Sequence, residues 1–302
     1  MPLPADFPEL AALDLLRSVV ELGSLSRAAE AHGITQPSAS SRVRTLERQL
    51  GLTLLDRSPT GSQPTPDGQL VVGWADDILR SADALARGVA AMQAEQHGLL
   101  RIAASYTIAE YLLPPWLDRF FADRSGDSVS LDVTNSDAVV ERLEAGMVDL
   151  GFIESPNVPA SMAQQVVGTD ELIVVVSARH AWATEPAVSI DTLCATPLVL
   201  RERGSGTRRA LADELARLGH EMPSSALDLG SLSAVRIAVI NGSAPTVISR
   251  LAVSDDLASG SLVEVPVAGL QIERTLLAIW PQRAASLRLA QAFLAHLAAE
   301  SQ

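Results

Sequence analysis

The segment Gly23–Gly51, GSLSRAAEAHGITQPSASSRVRTLERQLG, constrains the chain more tightly than any other. Its punctuation predicts two short helices joined by a tight turn. Ser24 caps the first, Gly33 supplies the turn, and Thr35 caps the second ahead of Gln36 and Pro37. At about 100° per residue, Ala39, Val43, Leu46 and Leu50 share one side of the second helix. Pro37, Ser41, Arg44 and Arg48 share the other. Small polar groups and guanidiniums on an outward face fit a DNA major groove. Any small helical bundle shows the same two faces, so periodicity alone leaves both readings open. Upstream, Leu10, Leu13, Leu16, Val20 and Leu22 predict a preceding amphipathic helix that closes a three-helix core.

At 302 residues the chain suits two or three compact units. Cys194 is its only cysteine, which excludes an intrachain disulfide and points to a reducing compartment. Asp6 and Glu9, without a basic leader, argue against a signal peptide, and no apolar run reaches the roughly 18 residues of a membrane span. A cytoplasmic protein is expected. The net charge of −13 opposes nucleic acid only until its distribution is counted. Residues 1–67 hold six arginines against eight acids, net −2, so residues 68–302 carry −11. Within 24–62, five arginines face three acids, net +2. The chain has no lysine, and arginine suits bidentate phosphate and guanine contacts.

Beyond the helical pair, Arg57–Pro64 is turn-rich and suits a β-hairpin wing. A helical pattern follows from about Pro66 to Gln96, with Leu70, Trp74, Ile78, Leu85, Val89 and Met92 at three- to four-residue intervals. Such a helix has one apolar stripe and no nearby partner in sequence, so a dimerisation helix is expected, the alternative being a helix lying on its own domain. From Leu99 strands and helices alternate. Strands are predicted at 101–105, 128–134, 149–155, 172–178, 197–202 and 246–249. Helices are predicted at 107–124, 136–146, near 207–219 and 231–241, and at 284–299. The alternation implies doubly wound α/β sheets, with ligands at strand ends facing a cleft.

These blocks, in this order, resemble the LysR-type transcriptional regulators over essentially the whole chain. The helical pair matches from Gly23-Ser24 through Ala28-Ala29, Gln36-Pro37, Ser40 and Leu46-Glu47 to Gly51. Leu54-Leu55-Asp56-Arg57 and Thr65-Pro66-Asp67-Gly68 are similar to segments flanking that family's wing. TIAEYLLP (107–114), GMVDLGFIES (146–155) and RERGSGTR (201–208) are similar to its effector domain. The resemblance implies an α/β protein with three parts. A winged helix-turn-helix DNA-binding domain spans 8–65, its helix-turn-helix at about 25–44, and a linker and dimerisation helix spans 66–96. An effector-binding domain at 99–302 comprises two subdomains similar to periplasmic binding proteins, one at 99–168 and 269–302, the other at 169–268. It further implies double-stranded DNA, a small-molecule effector and a homodimer, paired into a tetramer, as partners. Two departures stand out. His32 replaces a leucine usually packed under the turn, which predicts a wetter or shifted corner, and Ser41 occupies a position often held by Arg or Lys.

For DNA contact the sequence points to Gln36, Pro37, Ser38, Ser40, Ser41, Arg42 and Arg44, with Arg57 and Ser62 near the wing. Arg44 either reads guanine or grips phosphate, and its place in the third turn favours phosphate. Arg42 is alternatively a surface group paired with Glu47 or Glu30. For the effector, Ser105, Thr107, Asn135, Ser136, Ser205 and Thr207 fall where helices start after strands. Free N–H groups and positive dipole ends there favour an anionic ligand, though each residue is as readily an ordinary N-cap. Arg201 and Arg203 either meet the ligand's charge or bridge the subdomains, and Glu154 and Asn241 are further effector candidates. Asn241 lies in a turn (Asn241–Pro245) that replaces a more glycine-rich one in the family, which predicts a different pocket wall there. Gly204-Ser205-Gly206-Thr207 lacks a P-loop lysine, the five histidines lack metal-ligand spacing, and no nucleophile motif appears. No catalytic residue, metal or cofactor is expected. A solute-binding protein would show an export signal and lack the first 65 residues' pattern.

Overall fold

The computed structural model describes residues 4, 7–58, 61–96, 98–122, 124–282 and 288–300. Internal contacts divide the chain into two units, Met1–Ala86 and Arg87–Gln302. The first holds α1 (Leu10–Leu22), α2 (Leu25–Ala31), α3 (Gln36–Leu50), a hairpin of β1 (Leu55–Ser58) and β2 (Gly61–Pro64), and the start of α4 (Pro66–Gln96). The Ser24 hydroxyl accepts from the Arg27 N–H at 3.3 Å, and Thr35 Oγ1 accepts from the Ser38 N–H at 3.3 Å. Both helices thus start on the caps their sequences specify. Leu15, Leu16 and Val19 of α1, Ala28 and Ala29 of α2, and Ala39, Val43 and Leu46 of α3 are fully enclosed with Leu54, Val71 and Ala75. The corner at His32 is tied rather than wet. His32 closes α2, and its Nε2 lies 2.9 Å from the Ser18 hydroxyl of α1, so a hydrogen bond ties this corner.

Thr65 starts α4: its hydroxyl donates to the Thr53 carbonyl at 2.7 Å and accepts from the Gly68 N–H at 2.9 Å. A Cβ at Gly68 would lie 2.0 Å from the Leu54 carbonyl oxygen, so only glycine lets α4 leave the wing here. The single apolar stripe read from α4 is two stripes. Val71, Ala75 and Leu79 are buried, while Leu70, Trp74, Leu85 and Val89 stand exposed, Trp74 at 64% and Leu85 at 71%. The side chain of Met92 lies outside the described residues.

The second unit begins with β3 (Leu99–Ser105), a π-helical turn (Ile108–Leu112), α5 (Leu113–Phe121), β4 (Ser128–Thr134), α6 (Ser136–Glu144) and β5 (Leu150–Ile153). Then come β6 (Met162–Ser177), β7 (Val188–Ser189), α7 (Ile190–Ala195), β8 (Leu198–Arg201), α8 (Gly206–Arg217), β9 (Ser225–Leu229) and α9 (Leu232–Ile240). It closes with β10 (Thr246–Ser249), α10 (Arg250–Ser259), β11 (Leu262–Glu264), β12 (Val267–Ala268), β13 (Ile272–Pro281) and α11 (Arg288–Glu300). The helix expected over 107–124 runs without interruption over 106–121 but is not α-helical throughout. Pro114 and Pro115 lack the N–H groups an α-helix would send back, and the Leu113 N–H reaches Ile108 O instead. The part of the C-terminal helix expected over 283–287 lies outside the described residues.

Among the described residues the main sheet has nine strands in the order β4-β3-β5-β13-β6-β10-β8-β9, with β11 also on β6. Parallel β3, β4 and β5 form one end, and parallel β8, β9 and β10 the other. Between them β13 runs antiparallel along its whole length to β6 over Met162–Leu172, and the rest of β6 pairs with β10 and β11. The two α/β halves therefore share one sheet. Val167 and Leu276 pack in the first half's core, Leu172 and Ile272 in the second's. The second crossing lies inside β13, a few residues beyond the expected 268/269 boundary, and the register shifts there between Leu276 and Leu277.

Candidate functional sites

On α3, Gln36, Pro37, Ser38, Ser41 and Arg44 are exposed along one side, and Thr45 and Arg48 extend the row. Arg48 Nη2 donates to Thr45 Oγ1 at 2.8 Å, whereas Arg44 has no ion-pair partner among the described residues. Two expected contacts are corrected. Ser40 is 9% exposed, because it lies about 100° from Ala39, on the flank where α3 meets the core. Ser62 is 7% exposed, its N–H bound to the Gly23 carbonyl at 3.2 Å, which ties the wing's returning strand to the end of α1. Arg42 is half-buried. Glu47 Oε1 accepts from the N–H groups of Leu54 and Leu55 at 2.9 and 3.3 Å, so it anchors the start of the wing rather than Arg42. The wing puts the Arg57 backbone in β1, while its side chain lies outside the described residues.

In the second unit the site is built around Arg274, a residue the sequence reading missed. Its Nε donates to Asp170 Oδ2 at 2.8 Å, and its Nη2 to the same oxygen and to Thr107 Oγ1 at 3.0 Å. Its Nη1 donates to Glu154 Oε2 at 2.7 Å and to Thr207 Oγ1 at 2.9 Å. All five guanidinium N–H donors are thus used, in a region where Arg274, Asp170, Glu154, Thr107 and Thr207 are buried. The Ser249 hydroxyl donates to Asp170 Oδ1 at 2.8 Å. One side chain on β13 therefore binds the ends of β3 and β5 in one half, the start of α8 in the other, and β6 between them.

Of the expected effector residues, Thr107, Glu154 and Thr207 join this cluster, and Ser136 touches it by accepting the Glu154 N–H at 3.4 Å. Ser105 is buried at the end of β3 with no partner for its hydroxyl among the described residues. Ser205 precedes α8 and its side chain makes no cap bond, but Asn135 is an ordinary cap, its Oδ1 accepting from the Ala138 N–H at 2.9 Å. Gly206 lets the halves meet: a Cβ there would lie 3.0 Å from both Glu154 Cβ and Ser136 Oγ. Arg201 and Arg203 take the bridging alternative: Arg201 is buried, paired with Glu202 at 2.9 Å and stacked 4.7 Å over the Tyr106 ring of the other half. Arg203 is exposed, and its carbonyl accepts from Asn135 Nδ2 of the other half at 3.5 Å. Asn241 is the exposed C-cap of α9, its N–H closing that helix on Ile237, and it makes none of the contacts of the Arg274 cluster.

The π-helical turn adds a contact that the sequence reading lacked. Tyr106 and Tyr111 pack against the second half's core, and the Tyr111 hydroxyl donates to the Ala252 carbonyl at 3.4 Å. Burial pushes the Tyr111 hydroxyl and the nearby Glu110 carboxyl above their ordinary values. Among the described residues no His, Cys, Asp and Glu group is arranged to hold a metal ion, and no helix is long and apolar enough to cross a membrane.

Comparison with known proteins matches both units. Residues 10–69 fit the family model described as bacterial regulatory helix-turn-helix protein, lysR family, and residues 93–302 fit the LysR substrate binding domain. The HTH-type transcriptional regulator Rv2282c of Mycobacterium tuberculosis is 41% identical over 289 residues, covering 93% of each chain. YeiE of Escherichia coli, also an HTH-type transcriptional regulator, is 32% identical over 267 residues, covering 88% of this chain and 89% of its own. Among solved structures, the Synechocystis CcmR regulatory domain in complex with 2-PG superposes with a TM-score of 0.62 at 26% identity. That match covers 68% of this chain and 98% of CcmR's.

Proposed function

This chain belongs to the LysR family and is a DNA-binding transcription regulator with an effector-binding domain, not an enzyme; on that premise we propose how its residues divide the work. Residues 8–65 bind DNA, 66–96 link and dimerise, and 99–302 bind the effector between two halves that change over within β6 and β13. The α3 row of Gln36, Pro37, Ser38, Ser41 and Arg44 enters the major groove, with Arg42 and Arg57 on flanking phosphates. The exposed face of α4, through Leu70, Trp74, Leu85 and Val89, packs on a second copy in a homodimer, and two dimers pair into a tetramer. The protein works in the cytoplasm.

The effector is a small anion held in the crevice between the halves. The observation that carries this is the Ser105 hydroxyl, buried at the end of β3 without a hydrogen-bond partner among the described residues. It offers a donor to an acceptor from outside the chain, and the starts of α6 and α8 add positive dipole ends. The CcmR regulatory domain, similar to this chain, was solved in complex with 2-PG, which makes that compound a first probe. The decisive experiment is thermal-shift screening of the full-length protein with small carboxylates and phosphates, 2-PG among them, repeated on Ser105→Ala. Stabilisation of the wild type that Ser105→Ala loses is the expected result. Stabilisation by neutral compounds alone would overturn the anionic reading.

A further inference from the structure

The halves are bridged on both faces of their shared sheet, by contacts of different kinds. Strand residues alternate between the faces. On β3, Ala103 packs with α6, and Ile102 and Ala104 with the π-helical turn. On β6, Leu172 and Val174 pack with α8, and Ile173 and Val175 with α9. Where α6 meets the loop leading into α8, the bridge is polar. The Asp137 N–H donates to the Gly204 carbonyl at 3.3 Å, and Asn135 Nδ2 to the Arg203 carbonyl at 3.5 Å. Arg209 Nη2 donates to Asp137 Oδ2 at 3.3 Å, the two side chains standing 35% and 48% exposed. On the opposite face the bridge is aromatic: Tyr106 and Tyr111 pack against the core that holds Leu232 and Val235, with Arg201 stacked over Tyr106. Long hydrogen bonds and an exposed ion pair hold less than buried aromatic surface, so the polar bridge yields first. Its loop also carries Gly204 at φ +86°, and a glycine absorbs backbone rotation at little steric cost. Ser105 is 2% exposed and its hydroxyl is buried, so a solute reaches it only when surrounding contacts part. We propose that loop 203–206 is the gate of the crevice. It lifts from the start of α6, breaking the Asp137, Asn135 and Arg209 contacts and releasing Thr207 from Arg274, while the aromatic bridge stays packed as the hinge side. Arg274 keeps Asp170 and Glu154 throughout, so no buried charge loses its match. The effector-free regulator is then latched by its own chain, and entry of an effector is coupled to release of α6 from the loop.

The gate rests on the reading of Ser105 as an effector contact, but its test needs no effector, so the two fail separately. The test is the rate at which methyl methanethiosulfonate, a small uncharged thiol reagent, labels Ser105→Cys in full-length protein that also carries Cys194→Ser. Labelling is expected to be slow, and adding Arg209→Ala to speed it roughly two- to fivefold. Gly206→Ala, whose Cβ would lie 3.0 Å from Glu154 Cβ and Ser136 Oγ, wedges the same edge apart and is expected to speed it more. Tyr111→Phe loses the hydrogen bond to the Ala252 carbonyl but keeps its ring, and leaves the rate unchanged. Hydrogen exchange of the effector-free protein carries the test should Ser105→Cys fold poorly. There Arg209→Ala speeds exchange at the start of α6 and not at the π-helical turn. Rapid labelling before any gate residue is changed overturns the proposal. So do equal rates with and without Arg209→Ala, faster labelling in Tyr111→Phe than in Arg209→Ala, or unchanged exchange at α6 in Arg209→Ala.

Discussion

The outward face of α3 and the junction around Arg274 use the same side chain for opposite ends. Arg44 stands exposed on α3 with no ion-pair partner among the described residues. Arg274 is buried with every donor committed to two carboxylates and two hydroxyls of its own chain. An exposed guanidinium costs the fold little and serves a large external polyanion. A buried one is tolerable only when fully matched, and that requirement fixes the relative positions of the strand and helix ends that match it. DNA contact is therefore separable from folding, and effector-domain geometry is not.

The largest expected effect breaks the buried side of this comparison. Arg274→Ala leaves Asp170 and Glu154 buried without a countercharge and is expected to cost about 3–5 kcal/mol. Urea unfolding of the full-length protein, followed by a probe of the effector domain, measures it. Asp170→Asn keeps an acceptor for Arg274 and costs less. A cost below about 1 kcal/mol for Arg274→Ala would mean that the junction is not the tightly held half of the molecule.

The same contrast explains what was legible beforehand. The α3 face lies within 15 contiguous residues, so its period reports it directly, and even the Ser40 error was visible as a flank position on the helical wheel. The junction is assembled from distant segments: Asp170 and Arg274 are 104 residues apart, Ser249 and Asp170 79 apart. No periodicity connects them. The strand carrying Arg274 was hidden by that arginine, which occupies an inward position between buried Ile272 and Leu276 and spoils the apolar alternation. A charged residue at an inward strand position was itself the available signal. The π turn ahead of Pro114 and Pro115 was legible too, since two adjacent missing N–H groups disturb regular α-helical bonding.

Arg44→Ala sharpens the exposed side. Folding stability is expected to stay within about 0.5 kcal/mol of wild type. Operator affinity falls by about 1–3 kcal/mol if Arg44 reads guanine. If it grips phosphate, the loss is the same on every sequence and the salt slope drops by about 1. Gel-shift titrations at several salt concentrations separate these outcomes, and unchanged affinity would remove Arg44 from the DNA-reading face. Ser40 and Ser41 give a finer test from adjacent positions. Ser41→Ala is expected to alter DNA binding with stability intact, while Ser40→Ala costs stability of about 1 kcal/mol. The reverse pattern would rotate α3 by a third of a turn.

The smallest effect concerns a buried-side group that titrates near neutrality. His180 is half-buried, and its Nδ1 accepts the Trp182 N–H at 3.1 Å, a bond that only the unprotonated ring can make. Burial holds its pKa below the ordinary 6.5 of histidine. The unfolded chain therefore binds this proton more readily than the folded one. The stabilisation is complete above about pH 6.5 and is lost as the pH falls through the lowered folded value. Thermal unfolding of the full-length protein should accordingly become easier on mild acidification. His180→Asn, which keeps an acceptor for the Trp182 N–H without a titrating ring, should show a shallower acid slope than wild type. An identical slope in the two proteins would place the acid sensitivity elsewhere than His180.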